Sequence, residues 1–151
     1  MRTFLRFSPI LLTISVVLLL AAFLGGCSRD RVDDSLENTE WRLVQLHGHD
    51  LLPGTHITME ITEKYFSGFS GCNHYGSGGD FRMNSGTIEV ESIVSNLKDC
   101  GDAIDRQESQ FQKELYAGVV TYEIIGDRLL LFDSDGHATL VFERLGNAAA
   151  P

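Results

Sequence analysis

The sequence predicts an α+β domain: an antiparallel sheet of about eight short strands carrying one amphipathic helix. Three observations predict it. From Trp41 onward apolar and polar residues mostly alternate, turn-forming residues divide the alternating runs, and one segment around residue 110 switches to helical spacing.

The strands follow in order. Residues 40–46 form the first, and Ile57, Met59 and Ile61 alternate with Thr58, Glu60 and Thr62 in the second. Residues 65–69 and 80–83 come next, followed by Ile88 and Val90 alternating with Glu89 and Glu91, as a sheet with one buried face requires. Residues 119–125, 128–132 and 138–144 close the set. Asn84, Ser85 and Gly86, then Gly126 and Asp127, then Asp135 and Gly136 divide neighbouring strands, and all tolerate positive φ. Consecutive antiparallel hairpins follow.

The helix rests on Ile104, Glu108, Phe111 and Leu115, spaced i, i+4, i+7 and i+11, with Asp105, Gln107, Gln112 and Lys113 left for the wet side. Asp102 is the expected N-cap and Gly118 the expected stop. Gly76, Ser77, Gly78 and Gly79 lack the Lys-Ser/Thr ending of a phosphate loop and read as a mobile connection. Residues 146–151 read as a fraying tail.

The N-terminus carries an address. Arg2 and Arg6 precede an apolar run from Ile10 to Leu24, shorter than the roughly 20 residues a membrane-spanning helix needs. Leu24, Gly25, Gly26 and Cys27 then resemble a bacterial lipobox, in which small residues admit the peptidase and the thiol accepts the lipid. Residues 1–26 are thus expected to be a removable lipoprotein signal, with Cys27 the lipidated residue. The alternative is an ordinary secretory signal with an incidental Cys. Residues 27–37 are mostly charged and read as a polar tether of at most about 35 Å. The domain proper is expected over 38–145.

Charge narrows the partners. The chain has 12 Lys and Arg against 21 Asp and Glu. Two of those bases and no acids lie in residues 1–26, so ten bases and 21 acids remain, a net charge of −11. Nucleic acid is a poor partner for such a surface. With Cys27 acylated, the three cysteines leave Cys72 and Cys100, either bridged or as two free buried thiols. A bridge would stabilise the fold by about 3.5 kcal/mol on the chain-entropy model.

The order of parts is similar to that of the META domain family, which includes HslJ-like heat-inducible lipoproteins. The matching residues are Thr39, Glu40 and Trp41; Ser70, Gly71, Cys72, Asn73 and Tyr75; Cys100; Glu108, Phe111 and Leu115; and Tyr122, Ile124, Gly126, Leu129 and Leu131. Asn38 replaces a common Gly, and residues 96–99 replace the Thr-containing stretch usual before the second Cys. The resemblance implies a curled, barrel-like antiparallel sheet with the helix packed on it, in a family associated with envelope stress and drug tolerance and without an established catalytic activity.

The reactive residue types form no complete catalytic set. Cys72 and His74 could share one face of an extended segment, but a bridge to Cys100 consumes the thiol. Ser70 misses the nucleophile-elbow pattern at its fifth position and is followed by a Gly-rich loop where the elbow needs a helix. His47 and His49, with His56, His74 or His137, are too irregularly placed to specify zinc, and Asp127, Asp133 and Asp135 match no calcium loop. No metal, cofactor or catalytic residue is assigned. Phe66, Phe69 and Tyr75 more simply fill a core than line a recognition surface.

The sequence therefore points to an exported, lipid-anchored, non-catalytic envelope protein, monomeric in its domain. It would bind an envelope protein or small ligand through the loop of Ser70, Gly71, Asn73, His74 and Tyr75. Ser28 after the lipid site resembles outer-membrane sorting in a two-membrane bacterium. An enzyme or inhibitor acting in cell-wall or secreted hydrolase chemistry through an acidic cleft is the alternative, and a structural envelope component a third.

Overall fold

A computed structural model describes residues 32–33 and 35–147. The expected signal segment, Cys27 and residues 148–151 lie outside the described residues. The domain is one strongly curled antiparallel sheet with a single helix packed on it. The strands are β1 (Thr39–Leu46), β2 (His49–Asp50), β3 (Thr58–Ile61), β4 (Phe66–Phe69), β5 (His74–Ser77), β6 (Phe81–Asn84), β7 (Thr87–Val90) and β8 (Ile93–Ser95). After helix α1 (Asp102–Lys113) and a π-helical turn (Glu114–Gly118) come β9 (Val119–Ile125), β10 (Arg128–Asp133) and β11 (Ala138–Asn147).

The sheet order is β6-β7-β9-β10-β11-β1-β3-β4-β5-β8, with β2 paired to β1. About eight strands were expected and eleven form among the described residues; β2, β5 and β8 are the additions. The Gly-rich stretch is no mobile connection: His74 to Ser77 pair with β4 on one side and β8 on the other.

β5 and β6 are successive halves of one bent strand, and β7 and β8 are the halves of its partner. Phe81 pairs with Val90 and Ser77 with Ile93, while Glu91 N–H donates to Asp80 O and Gly78 N–H to Ser92 O across the corner between them. One extra residue sits on the β5–β6 side of that corner, as in a bulge. A Cβ on Gly79 would lie 2.4 Å from a Glu91 carboxylate oxygen, and one on Gly78 would lie 2.8 Å from Ser92 Oγ. The glycines let the bent hairpin turn the corner from β4 to β9 and so curl the sheet.

The core explains the alternation. Trp41, Leu43, Met59, Ile61, Phe81, Met83, Leu129, Leu131, Leu140 and Phe142 are buried, joined from the helix by Phe111 and from the π-helical turn by Leu115. A register shift between Leu43 and Gln45 against β11 lets Leu46 face inward three residues after Leu43. Trp41 is fully buried, and its indole N–H donates to Thr39 Oγ1 (2.7 Å), whose hydroxyl donates to Leu36 O. A buried indole needs that acceptor. The Arg144 guanidinium covers its ring at 4.3 Å.

Three boundaries differ from expectation. Residues 32, 33 and 35–37 are not a free tether: Val32 and Leu36 are buried, Asp33 N–H donates to Met83 O on β6, and Asp33 O closes a turn with the N–H groups of Leu36 and Glu37. Two apolar side chains four apart suffice to dock this otherwise charged segment. Gly146 and Asn147 do not fray but pair with Glu40 and Thr39. The helix N-cap is Gly101, at φ 93°, and not Asp102, which is the first helical residue.

Candidate functional site

The loop between β4 and β5 holds most of the residues marked by sequence. Gly71 turns it at φ 101°, and Ser70 N–H donates to Asn73 O (2.8 Å) to close the turn. Cys72 and Cys100 form a disulfide with Cα atoms 6.0 Å apart, joining this loop to the segment before α1. Cys72 is buried and Cys100 exposed.

Glu108, on the buried face of α1, organises the loop. Its Oε1 accepts the Ser70 hydroxyl and the Asn73 backbone N–H (2.9 Å), and its Oε2 accepts Asn73 Nδ2 (2.8 Å). Gln112, one turn further on, donates to Ser70 Oγ (3.3 Å) and Ser95 Oγ (3.2 Å), tying in β8. A buried carboxylate with three donors is a structural anchor, since most of its acceptor capacity is already engaged. Ser70 is fully buried within this network and offers no nucleophile to solvent.

Asn73 extends the network outward. Its Oδ1 accepts Lys98 N–H (2.8 Å) and its Nδ2 also reaches Lys98 O (3.3 Å). Residues 96–101 are thus pinned at Lys98 by Asn73 and at Cys100 by the disulfide, and Cys100 N–H also donates to Asp105 Oδ1 (3.1 Å). Between Asn96, whose N–H donates to His74 O, and Lys98 stands Leu97, 98% exposed. Beside it an open groove of about 460 Å³ is lined by His74, Tyr75, Gly76, Val94, Ser95 and Asn96. Val94 is exposed as well.

The structure brings Ser70, Cys72, Asn73 and Tyr75 together as a rigid support, with His74 exposed on the groove. Sequence reasoning missed Glu108 as the hub and Leu97 as the exposed tip. An acid within an apolar helical stripe was the available signal for the first, and a lone Leu between Asn96 and Lys98 for the second. Tyr75 is buried, donates to Thr58 O (2.9 Å), and packs edge-on against Phe111; burial pushes its hydroxyl far above the usual tyrosine range. Phe66 is likewise core, whereas half-buried Phe69 is flanked by the rings of His56 and His74.

The other polar clusters are engaged internally. His47 pairs with Glu114 (3.4 Å) beside a cleft of about 370 Å³ that His49, Asp50 and Arg106 also line. Asp133, Asp135 and His137 lie close enough to hold an ion, but Asp133 Oδ1 already accepts the N–H groups of Asp135 and His137, which closes the hairpin turn. The backbone hydrogen bond from His137 is the main cause holding the Asp133 carboxyl below its ordinary value. Asp80 and Glu89 converge on a cleft of about 310 Å³, where both pair with Arg82.

The architecture is shared. A protein whose structure was determined by NMR matches 73% of this chain and 92% of its own, at 15% identity and a TM-score of 0.56. A second NMR structure, of a protein from Burkholderia xenovorans, covers 79% of this chain and 92% of its own at 21% identity and a TM-score of 0.56. At these identities the likeness shows the fold alone. No curated protein sequence matches. A family model described as the META domain matches residues 34–145, from the docked N-terminal segment through most of the last strand. The Thr39–Trp41 pairing, the bridged Asn73 loop and the Glu108 hub all fall within this match, and the chain belongs to the META domain family.

Proposed function

We propose that this protein is a non-catalytic, lipid-anchored envelope protein that binds a protein partner through the segment displaying Leu97. One observation carries the reading: a large apolar side chain stands almost wholly in water on a segment fastened by a disulfide, by Asn73 and through Glu108. A Leu on an unconstrained loop could turn inward. Holding one outward on a rigid support preorganises a contact, which lowers the ordering cost of association.

The remaining parts rest on sequence. Anchoring rests on the lipobox at Cys27, the outer-membrane destination on Ser28 in a two-membrane bacterium, and an envelope-stress or drug-tolerance setting on the family resemblance alone. The absence of catalysis is supported by burial of Ser70 and consumption of the Cys72 thiol.

The test is a photocrosslinking residue at position 97 of the full chain in its native envelope, with one at exposed Glu123 as control. A discrete adduct from position 97 that is absent from position 123, and whose partner no longer co-purifies with Leu97→Asp, is expected. Turnover of a peptide, ester or glycan by the purified domain, abolished by one substitution, would overturn the reading.

A further inference from the structure

With residues 32, 33 and 35–37 docked, a chain anchored at Cys27 has little free length. Only residues 28–31 separate the acylated position from buried Val32, so the two Cα atoms can lie at most about 18 Å apart. The docked segment bonds along one end of the barrel: Asp33 accepts from Ser85 N–H and the Tyr122 hydroxyl, and Arg144 donates to Ser35 O.

Strand register shows what else lies at that end. Thr39, where the segment enters β1, pairs with Ile61 and Asn147, so the turn between β3 and β4 and the close of β11 sit there. Arg42 pairs with Glu143, Glu143 with Arg128, and Arg128 with Ile125, which brings in the turn between β9 and β10. Three of the exposed large apolar residues belong to these places: Tyr65 (53% exposed), Ile125 (58%) and Leu145 (47%). β4 runs away from this end, from Phe66 to Phe69, so the Ser70–Asn73 turn and the pinned Leu97 segment are at the opposite end.

We infer that the end of the barrel carrying Tyr65, Ile125 and Leu145 rests on the bilayer surface, and that this directs Leu97 away from the membrane. The inference rests on the anchor reading above. Its partner is a lipid surface met through apolar side chains: a domain of net charge −11 gains nothing from anionic headgroups, whereas a tyrosine and two aliphatic side chains suit the headgroup boundary. The short link keeps this end at the surface, and the apolar side chains choose its tilt.

The full acylated chain in dioleoylphosphatidylcholine vesicles containing a headgroup-nitroxide lipid tests this, with a fluorophore on Glu63→Cys, in the turn between β3 and β4, or on Asn96→Cys. Quenching several-fold stronger at position 63 than at 96, unchanged by added salt, is expected. Replacing Tyr65, Ile125 and Leu145 together by Ser should narrow the difference while Cys27 stays acylated. Equal or reversed quenching in acylated protein, or a difference that the triple replacement leaves intact, overturns the inference and leaves the anchor standing. An intact mass without acyl chains on Cys27 overturns both.

Discussion

The Asn73 side chain holds both backbone groups of Lys98, accepting its N–H at 2.8 Å and facing its carbonyl at 3.3 Å, one residue from the disulfide half Cys72. Covalent and hydrogen-bonded fastenings therefore act side by side on the segment that displays Leu97. Replacing Cys72 and Cys100 together by Ala should cost about 3.5 kcal/mol by urea denaturation, the loop-closure entropy of the bridge. Asn73→Ala should release the same segment, read as faster amide exchange at Lys98, with the disulfide intact.

Glu108 is the more sensitive position. Glu108→Ala strips the Ser70 hydroxyl and both Asn73 donors of their acceptor, and should destabilise by about 3 kcal/mol or more. Glu108→Gln retains one acceptor oxygen but sets an amide against Asn73 Nδ2, and should cost about 1–2 kcal/mol. Denaturation midpoints at constant m-value check both.

Docking of the N-terminal segment has its own test. Leu36 is fully buried, so Leu36→Ala should cost about 2–5 kcal/mol, as for a core leucine. A leucine in a solvated tether would cost nothing measurable. Chemical denaturation of the chain from residue 28 onward separates the two.

Alkaline pH should weaken the fold through two tyrosines. Burial raises Tyr75, and burial followed by the hydrogen bond and charge of Asp33 raises Tyr122. Both raised values mean that the folded state retains protons the unfolded chain releases above about pH 10, so this stabilisation is complete below that pH and is lost as pH rises. Urea midpoints should fall between about pH 9 and about pH 11, with a shallower fall for Tyr75→Phe. Tyrosinate absorbance at these two positions should appear only with unfolding.

Most of the sheet was legible because its signals are local. Residues 119–125, 128–132 and 138–144 alternate and are divided by turn pairs, and they form β9, β10 and β11 with small changes at their ends. β5 was not legible, because His74, Tyr75, Gly76 and Ser77 have one large apolar side chain among them; partners on both sides impose its strand state. Gly76 and Gly78 read as loop residues when their purpose is close approach, which depends on Phe66, Ser92 and Val94, far away in sequence. At the site, the cysteine pair was visible from composition and Asn73 from the family resemblance. Glu108 was not, because a carboxylate becomes a hub only when three donors from a distant loop surround it.

The pairing of β1 with β11 has a consequence for how the protein folds. The first and last strands lie side by side near the middle of the sheet order, so the seam between them joins residues 39–46 to residues 138–147, the two most distant parts of the sheet along the chain. Trp41 therefore waits for its β11 neighbour, Arg144, about a hundred residues downstream, and such long-range pairing comes late in folding.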